Sequence, residues 1–173
     1  PVIIAGLLMK ITGLDEALRS VAVIGWTMLG FGIVLYWADQ RGPVHKEEQD
    51  WGAMDALKMG LWQAVALIPG TSRSGICITG GRFLGYNRHD AAKIAMLMSI
   101  PTILASGALL GLEVASEADA SVAIDGLIGA VFAFGAALAA LTLMMRLLHS
   151  VSFTPYVIYR VILGAGLLIY AYS

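Results

Sequence analysis

The residue best suited to chemistry is Arg73, set in the string PGTSRSG at 69–75. The surrounding stretch, 59–81, is otherwise apolar at both ends. A permanent cation within hydrocarbon is costly and is a functional hypothesis by default. Gly70 and Gly75 free the backbone to turn sharply and aim N–H groups into one space. Thr71, Ser72 and Ser74 add three hydroxyls. The planar fork of Arg73 fits two phosphate oxygens. Ser74-Gly75 is expected to open a helix, whose first N–H groups and dipole favour an anion. Together these residues make an oxyanion cradle, suited to phosphoryl transfer, where positioning and charge stabilisation supply most of the catalysis. The order G-x-x-x-x-G-K-[ST] is absent, which argues against a nucleotide. The competing reading is structural: hydroxyls bonding backbone, and Arg73 pairing with a carboxylate to hold helices together.

The cradle lacks a partner. Hydrolysis needs a group that activates a nucleophile, usually His or a carboxylate. Between residues 59 and 81 there is no Asp, Glu or His. Ser72 could attack only with a base from elsewhere. His45, His89 and His149 read as solvated polar residues, and Glu113, Glu117, Asp119 and Asp125 as a solvated acidic loop. None has metal-ligand spacing with a second partner, so no metal site is expected. Arg160 is read as snorkelling to the cytoplasmic interface, with contact to a lipid phosphate as the sharper alternative. Gln63 either faces the same cavity or bonds a neighbouring helix. The single cysteine, Cys77, reads as a small buried hydrophobe.

The elements that must position these residues belong to a membrane. The 173 residues are 58% hydrophobic and 13% charged, with a net charge of −1 and a mean hydropathy of +0.79. Soluble domains carry about 25% charged residues. The charge balance gives no pull toward nucleic acid. Apolar runs at 20–38, 94–112 and 126–145 approach the ~20 residues that cross a bilayer. A fourth run covers 153–172 if Arg160 is tolerated. Lipid leaves open sheet edges unsatisfied, so an all-α integral membrane bundle is expected. Residues 1–9 read as the tail of a helix, and 10–19 as an interfacial turn. Residues 39–58 form a long hydrophilic loop. The pieces 59–72 and 76–84 are each too short to cross, and a Gly/Pro break joins them. They predict a re-entrant hairpin over 59–85, tolerated where it lines a cavity or is buried in protein. Asn87 is the expected N-cap of the next helix, and Pro101 an expected kink within 94–112. Arg41, Lys46, Lys58, Arg82, Arg88, Lys93 and Arg146 fall at 39–58, 82–93 and 146–149, whereas 113–125 has four acids and no Lys or Arg. The positive-inside rule places the first three segments in the cytoplasm and the last outside. Lys10 and Arg19 fall on the outer side.

These residues also resemble a known family. The string QAVALIPGTSRSG at 63–75, followed by Thr79, Gly80 and Gly81, closely resembles the second signature of the bacterial undecaprenyl-diphosphate phosphatases, the bacitracin-resistance family. SFTPYVIYR at 152–160 looks like the opening of that family's last helix. The resemblance runs over essentially the whole chain. It implies hydrolysis of undecaprenyl diphosphate to the monophosphate carrier lipid of peptidoglycan synthesis, in the bacterial inner membrane. It implies a fold of two inverted-topology repeats, each with a re-entrant hairpin. In that frame 1–38 is the remainder of the first repeat, 39–58 a cytoplasmic loop, and 59–173 the second repeat of a single membrane domain. The family's catalytic arginine matches Arg73 and its neighbouring serine Ser72. Gly70, Thr71, Ser74 and Gly75 match the phosphate-cradling signature. The family's first signature, two glutamates four residues apart and then a Ser-Gly-His run, has no counterpart here. The chain is therefore expected to be the C-terminal two-thirds of the enzyme and inactive alone. Family members are described as aided by a divalent cation, Mg2+ or Ca2+, whose ligands would lie outside this chain. The partners implied are a polyprenyl diphosphate and membrane lipids, with a homodimer left open. The rival class is a polyprenyl-phosphate transporter or flippase, since re-entrant hairpins are also transporter architecture. A third reading is a structural subunit whose Gly/Ser/Arg turn only packs helices.

Overall fold

The computed structural model describes residues 1–117, 120–147 and 151–173. Among them the regular structure is helical: α1 (Val2–Thr12), α2 (Leu14–Ala17), α3 (Val21–Arg41), α4 (Ala53–Val65), α5 (Arg73–Phe83), α6 (Arg88–Leu97), α7 (Ser99–Glu117), α8 (Ala120–Leu147) and α9 (Thr154–Tyr172), with a 3-10 turn at Glu48–Asp50. Four stretches are long and apolar enough to cross a bilayer: Val21–Arg41, Arg88–Ala108, Gly126–Leu147 and Thr154–Tyr172. The chain is thus an all-α membrane protein. It divides into one unit of Pro1–Leu97 with Ser152–Ser173 and a second of Met98–Val151.

In the first unit α3 and α9 form the most extensive helix pair. Small residues let the two backbones approach, as in many membrane helix pairs. A Cβ at Gly164 would lie 3.0 Å from Gly25 O and 3.1 Å from Leu29 N, and one at Gly32 would lie 3.4 Å from Arg160 Cβ. This closeness brings Arg160 inward. Gly164→Leu is therefore expected to part the helices and lower thermal stability in detergent by ~1–3 kcal/mol, as overpacking does. An unchanged melting temperature would count against the close approach.

α5 packs against α3, α4 and α6. Its contacts with α4 run in opposite chain order. A Cβ at Gly80 would meet the Trp62 ring at 2.6 Å, one at Gly81 would approach Met59 Cε at 3.8 Å, and the Tyr86 hydroxyl donates to Asp55 Oδ2 at 2.6 Å. The two helices therefore form an antiparallel hairpin. With 13 and 11 residues, each rises only about 15–20 Å, short of a crossing.

The open end of this hairpin is held by charge. Lys46 Nζ lies 2.7 Å from Asp55 Oδ2. Arg82 donates to Tyr86 O at 2.7 Å and to Asp39 O at 3.1 Å. Arg88 grips the buried Asp39 carboxylate with contacts of 2.6 and 3.1 Å. Arg82 is therefore not a loop residue: it sits in the last turn of α5, 4% exposed. The loop 39–58 is also shorter than expected, because α3 continues to Arg41 and α4 begins at Ala53.

Burial opposes the charge on Asp55, yet its bonds from Lys46 and Tyr86 and the Lys46 charge outweigh burial and hold the carboxyl below its ordinary value of 3.8. Burial, then the bond to Asp55, pushes the Tyr86 phenol upward. A lowered carboxyl contributes stability that is complete above its unfolded value and is lost as pH falls through its folded value. Wild type is therefore expected to lose more stability than Asp55→Asn on moving from about pH 6 to about pH 3. Parallel pH profiles of unfolding would contradict this.

Asn87 caps α6, its Oδ1 accepting from Asp90 N at 2.8 Å. The expected kink at Pro101 is instead a helix break at Met98. A proline at 101 has no N–H for the carbonyl of residue 97 and its ring crowds that carbonyl, so the interruption falls one turn earlier. The second unit holds α7 and α8. The expected loop over 113–125 is also mostly helical, since α7 reaches Glu117 and α8 starts at Ala120. Its Ala-rich, acidic sequence contains no Gly or Pro to stop a helix. The apolar residues Leu127, Val131, Phe132 and Phe134 of α8 are exposed, as suits a lipid-facing or partner-covered helix.

Candidate functional site

The turn joining α4 to α5 carries the PGTSRSG string, and two other helices clamp it. Thr27 Oγ1 of α3 donates to Pro69 O at 2.6 Å. Arg160 Nη2 of α9 donates to Gly70 O at 2.8 Å. Gly70 has φ 84°, and a Cβ there would fall on Thr27 Oγ1 and within 2.7 Å of Ile24 O. Only glycine meets both conditions.

Ser72 is the N-cap of α5, its Oγ accepting from Gly75 N at 3.2 Å. The helix thus opens at Arg73, one residue before the expected Ser74. Arg73 and Ser74 lie in its first turn, where N–H groups have no intrahelical acceptor. Ser72 is also the one non-glycine residue with positive φ among those described, at φ 68°, ψ 112°. Such a conformation costs on the order of 1–3 kcal/mol and persists where its surroundings enforce it. Ser72→Ala loses the cap and keeps the strain, whereas Ser72→Gly loses the cap and relieves it. Ser72→Gly is therefore expected to be the more stable variant by ~1 kcal/mol in thermal unfolding. The reverse order would remove strain from the description.

Two buried polar atoms of the turn have no hydrogen-bond partner among the described protein residues: Thr71 Oγ1 and Arg73 Nη1. Thr71 is 1% exposed. Buried polar groups are nearly always hydrogen-bonded, by protein, ordered water or a bound ion. Ser72 Oγ lies 3.4 Å from Ser74 Oγ and 2.9 Å from the Tyr156 hydroxyl. Arg160 Nη1 lies 3.4 Å from the same hydroxyl. Gly75, buried, sits close beneath Ser72, since a Cβ there would meet Ser72 Oγ at 3.2 Å. The six residues picked from the sequence, Gly70 to Gly75, thus form one turn and helix start.

Arg160 does not snorkel. It is 4% exposed and turned into the first unit against the Gly70 carbonyl, because α9 approaches α3 so closely. Tyr156 was not singled out by the sequence reading. Its only signal was the i, i+4 spacing to Arg160 within SFTPYVIYR, which puts both on one helix face. Gln63 is buried on α4, and Cys77 is fully buried on α5. His45 is exposed, and His89 lies 3.3 Å from Asp90 Oδ1. His149 and Asp119 lie outside the described residues.

The electrostatics separate the arginines into two kinds. Arg82 and Arg88 have Asp39 as a counter-ion. Arg73 and Arg160 form no ion pair among the described residues. The structural alternative for Arg73, a carboxylate strut, is therefore not realised here. An unneutralised guanidinium in the turn, a second reaching it from α9, a helix N-terminus and unbonded polar atoms are groups whose chemistry suits an oxyanion. Among the described residues no group of three or more His, Cys, Asp or Glu is placed to hold a metal ion. The described residues thus offer no ligand set for the divalent cation that the resemblance implies.

Fold and site together define a class: an all-α membrane protein with a Gly/Ser/Arg turn joining the two helices of a short hairpin. The family model of the bacitracin resistance protein BacA matches residues 1–166, and the chain belongs to that family. Over all 173 residues it is 72% identical to the undecaprenyl-diphosphatase of Dinoroseobacter shibae and covers 65% of that protein. It is 68% identical to the undecaprenyl-diphosphatase of Jannaschia sp., again covering 65% of it. It is 44% identical over 176 aligned residues to that of Hahella chejuensis, covering 64% of it. The chain thus spans somewhat less than two-thirds of the length of these relatives.

Proposed function

We propose that this chain supplies the phosphate cradle of a membrane phosphatase that hydrolyses undecaprenyl diphosphate to undecaprenyl phosphate and phosphate. The observation that carries the reading is a pair of ion-pair-free arginines at one turn: Arg73 within it, with Nη1 buried and unbonded, and the buried Arg160 bonded to its Gly70 carbonyl. Arg73 stabilises charge on the transferring phosphoryl group, and Ser72 orients that group or attacks it. Thr71, Ser74 and the first N–H groups of α5 complete the cradle. The general base is supplied by a part of the whole protein outside these 173 residues, so this chain alone releases no phosphate. The α4–α5 hairpin enters and leaves the membrane on one side, as half of an inverted-repeat fold. The lipid tail lies in the bilayer of the bacterial inner membrane, and a divalent cation, if one is used, is held by residues outside this chain.

The test is phosphate release from undecaprenyl diphosphate in detergent by the full-length protein and by residues 1–173 alone. Release by the first and none by the second is expected. No release by the full-length protein, together with translocation of a polyprenyl phosphate across vesicles, would replace hydrolysis with transport.

A further inference from the structure

We propose that Tyr156 is a positioning residue that makes the Ser72 hydroxyl a hydrogen-bond donor to the bound phosphate and not a base-activated nucleophile. This rests on the phosphate-cradle reading above. The contacts close a ring. Arg160 donates to Gly70 O at 2.8 Å and makes a longer, charge-assisted approach to the Tyr156 hydroxyl at 3.4 Å. The Tyr156 hydroxyl lies 2.9 Å from Ser72 Oγ, two residues along the chain from Gly70.

The direction of each bond follows from donor chemistry. A guanidinium has no acceptor, so the phenol oxygen accepts from Arg160. A phenol is more acidic than an alkyl alcohol and is the stronger donor, more so beside a cation. Arg160 also lies over the Tyr156 ring, with Cζ 5.7 Å from the centroid. The phenol proton therefore goes to Ser72 Oγ. The Gly75 N–H can only donate, and it too goes to Ser72 Oγ, at 3.2 Å.

Ser72 Oγ thus accepts twice, and both lone pairs are engaged. An oxygen in that state is a poor nucleophile. Its own proton is left to donate. The nearest acceptor, Ser74 Oγ at 3.4 Å, is beyond the usual O–H···O range. A phosphate oxygen held by Arg73, the neighbouring residue, is the better acceptor. The ring also accounts for the positive φ of Ser72, since it holds the side chain where cap and phenol both reach it.

The test is a double-mutant cycle in the full-length protein. Phosphate release from undecaprenyl diphosphate is measured for wild type, Tyr156→Phe, Ser72→Ala and the double variant. Tyr156 is 37% exposed, so losing its hydroxyl leaves the fold intact. Each single change is expected to lower kcat on the order of tenfold with little change in KM, the size of one hydrogen bond to a charged group. The double variant is expected to be no slower than Ser72→Ala, because the phenol acts only through Ser72. Losses that multiply, a Tyr156→Phe enzyme as fast as wild type, or an acid-stable phosphoserine at Ser72 would each overturn the proposal. If wild type releases no phosphate, the hydrolase reading fails separately, and the same cycle is read in binding of a methylene-bridged polyprenyl diphosphate. Coupling between the two positions there sustains the positioning role, and independent effects remove it.

Discussion

Arg73→Ala in the full-length protein is expected to lower kcat/KM for phosphate release by about 10²–10³-fold, the range seen when one transition-state charge stabiliser is removed. The expectation follows from what Arg73 does not do. It has no carboxylate partner among the described residues, and its Nη1 is buried without a hydrogen bond. Nothing in the fold is orphaned by its removal, so the variant should unfold at or above the wild-type temperature. Arg73→Lys keeps the charge and loses the planar fork, so it should recover only part of the rate. A large loss of stability in Arg73→Ala would return Arg73 to the role of a packing strut.

Asp39→Ala is expected to have the opposite profile, with a large loss of stability. Asp39 is 2% exposed and is the counter-ion of Arg88 and the near neighbour of Arg82. Removing one partner of a buried pair leaves an uncompensated buried charge and costs ~3–5 kcal/mol. The charge left behind is that of Arg82, whose side chain is 5% exposed and whose Nε is already without a hydrogen bond. Asp39 also ties the end of α3 to the open end of the α4–α5 hairpin. Thermal unfolding in detergent checks this directly. A change within about 1 kcal/mol, the scale of an exposed ion pair, would show that the cluster is solvated in the whole protein.

The contrast between these arginines explains what could be read from the sequence. The apolar runs are local signals, and α3, α8 and α9 lie where hydropathy placed them. The turn was legible because its parts are consecutive: Gly70 to Gly75 carry the turn, the cap and the charge within six positions. Arg82 and Arg160 were misassigned because their surroundings come from far along the chain. Arg82 takes its partners from Asp39 and Gly42, 43 and 40 residues away. Arg160 reaches Gly70 across 90 residues. A charge near a span end looks the same in sequence whether it snorkels or turns inward. The inward turn is set by Gly25, Gly32 and Gly164, whose role becomes visible only once two helices face each other. The break at Met98 and the helical 113–117 were missed for a smaller reason: a proline displaces a helix end by a turn, and an acidic composition does not by itself make a loop.

The central claim is that Arg73 is kept unpaired to bind phosphate oxygens. Its most direct test is the affinity of the full-length protein for a non-hydrolysable, methylene-bridged polyprenyl diphosphate, measured for wild type and Arg73→Leu by calorimetry in detergent. Loss of a charge-assisted bidentate contact should weaken binding by at least about tenfold. Equal affinities in the two proteins would contradict the claim and leave the Gly/Ser/Arg turn as a device for packing helices.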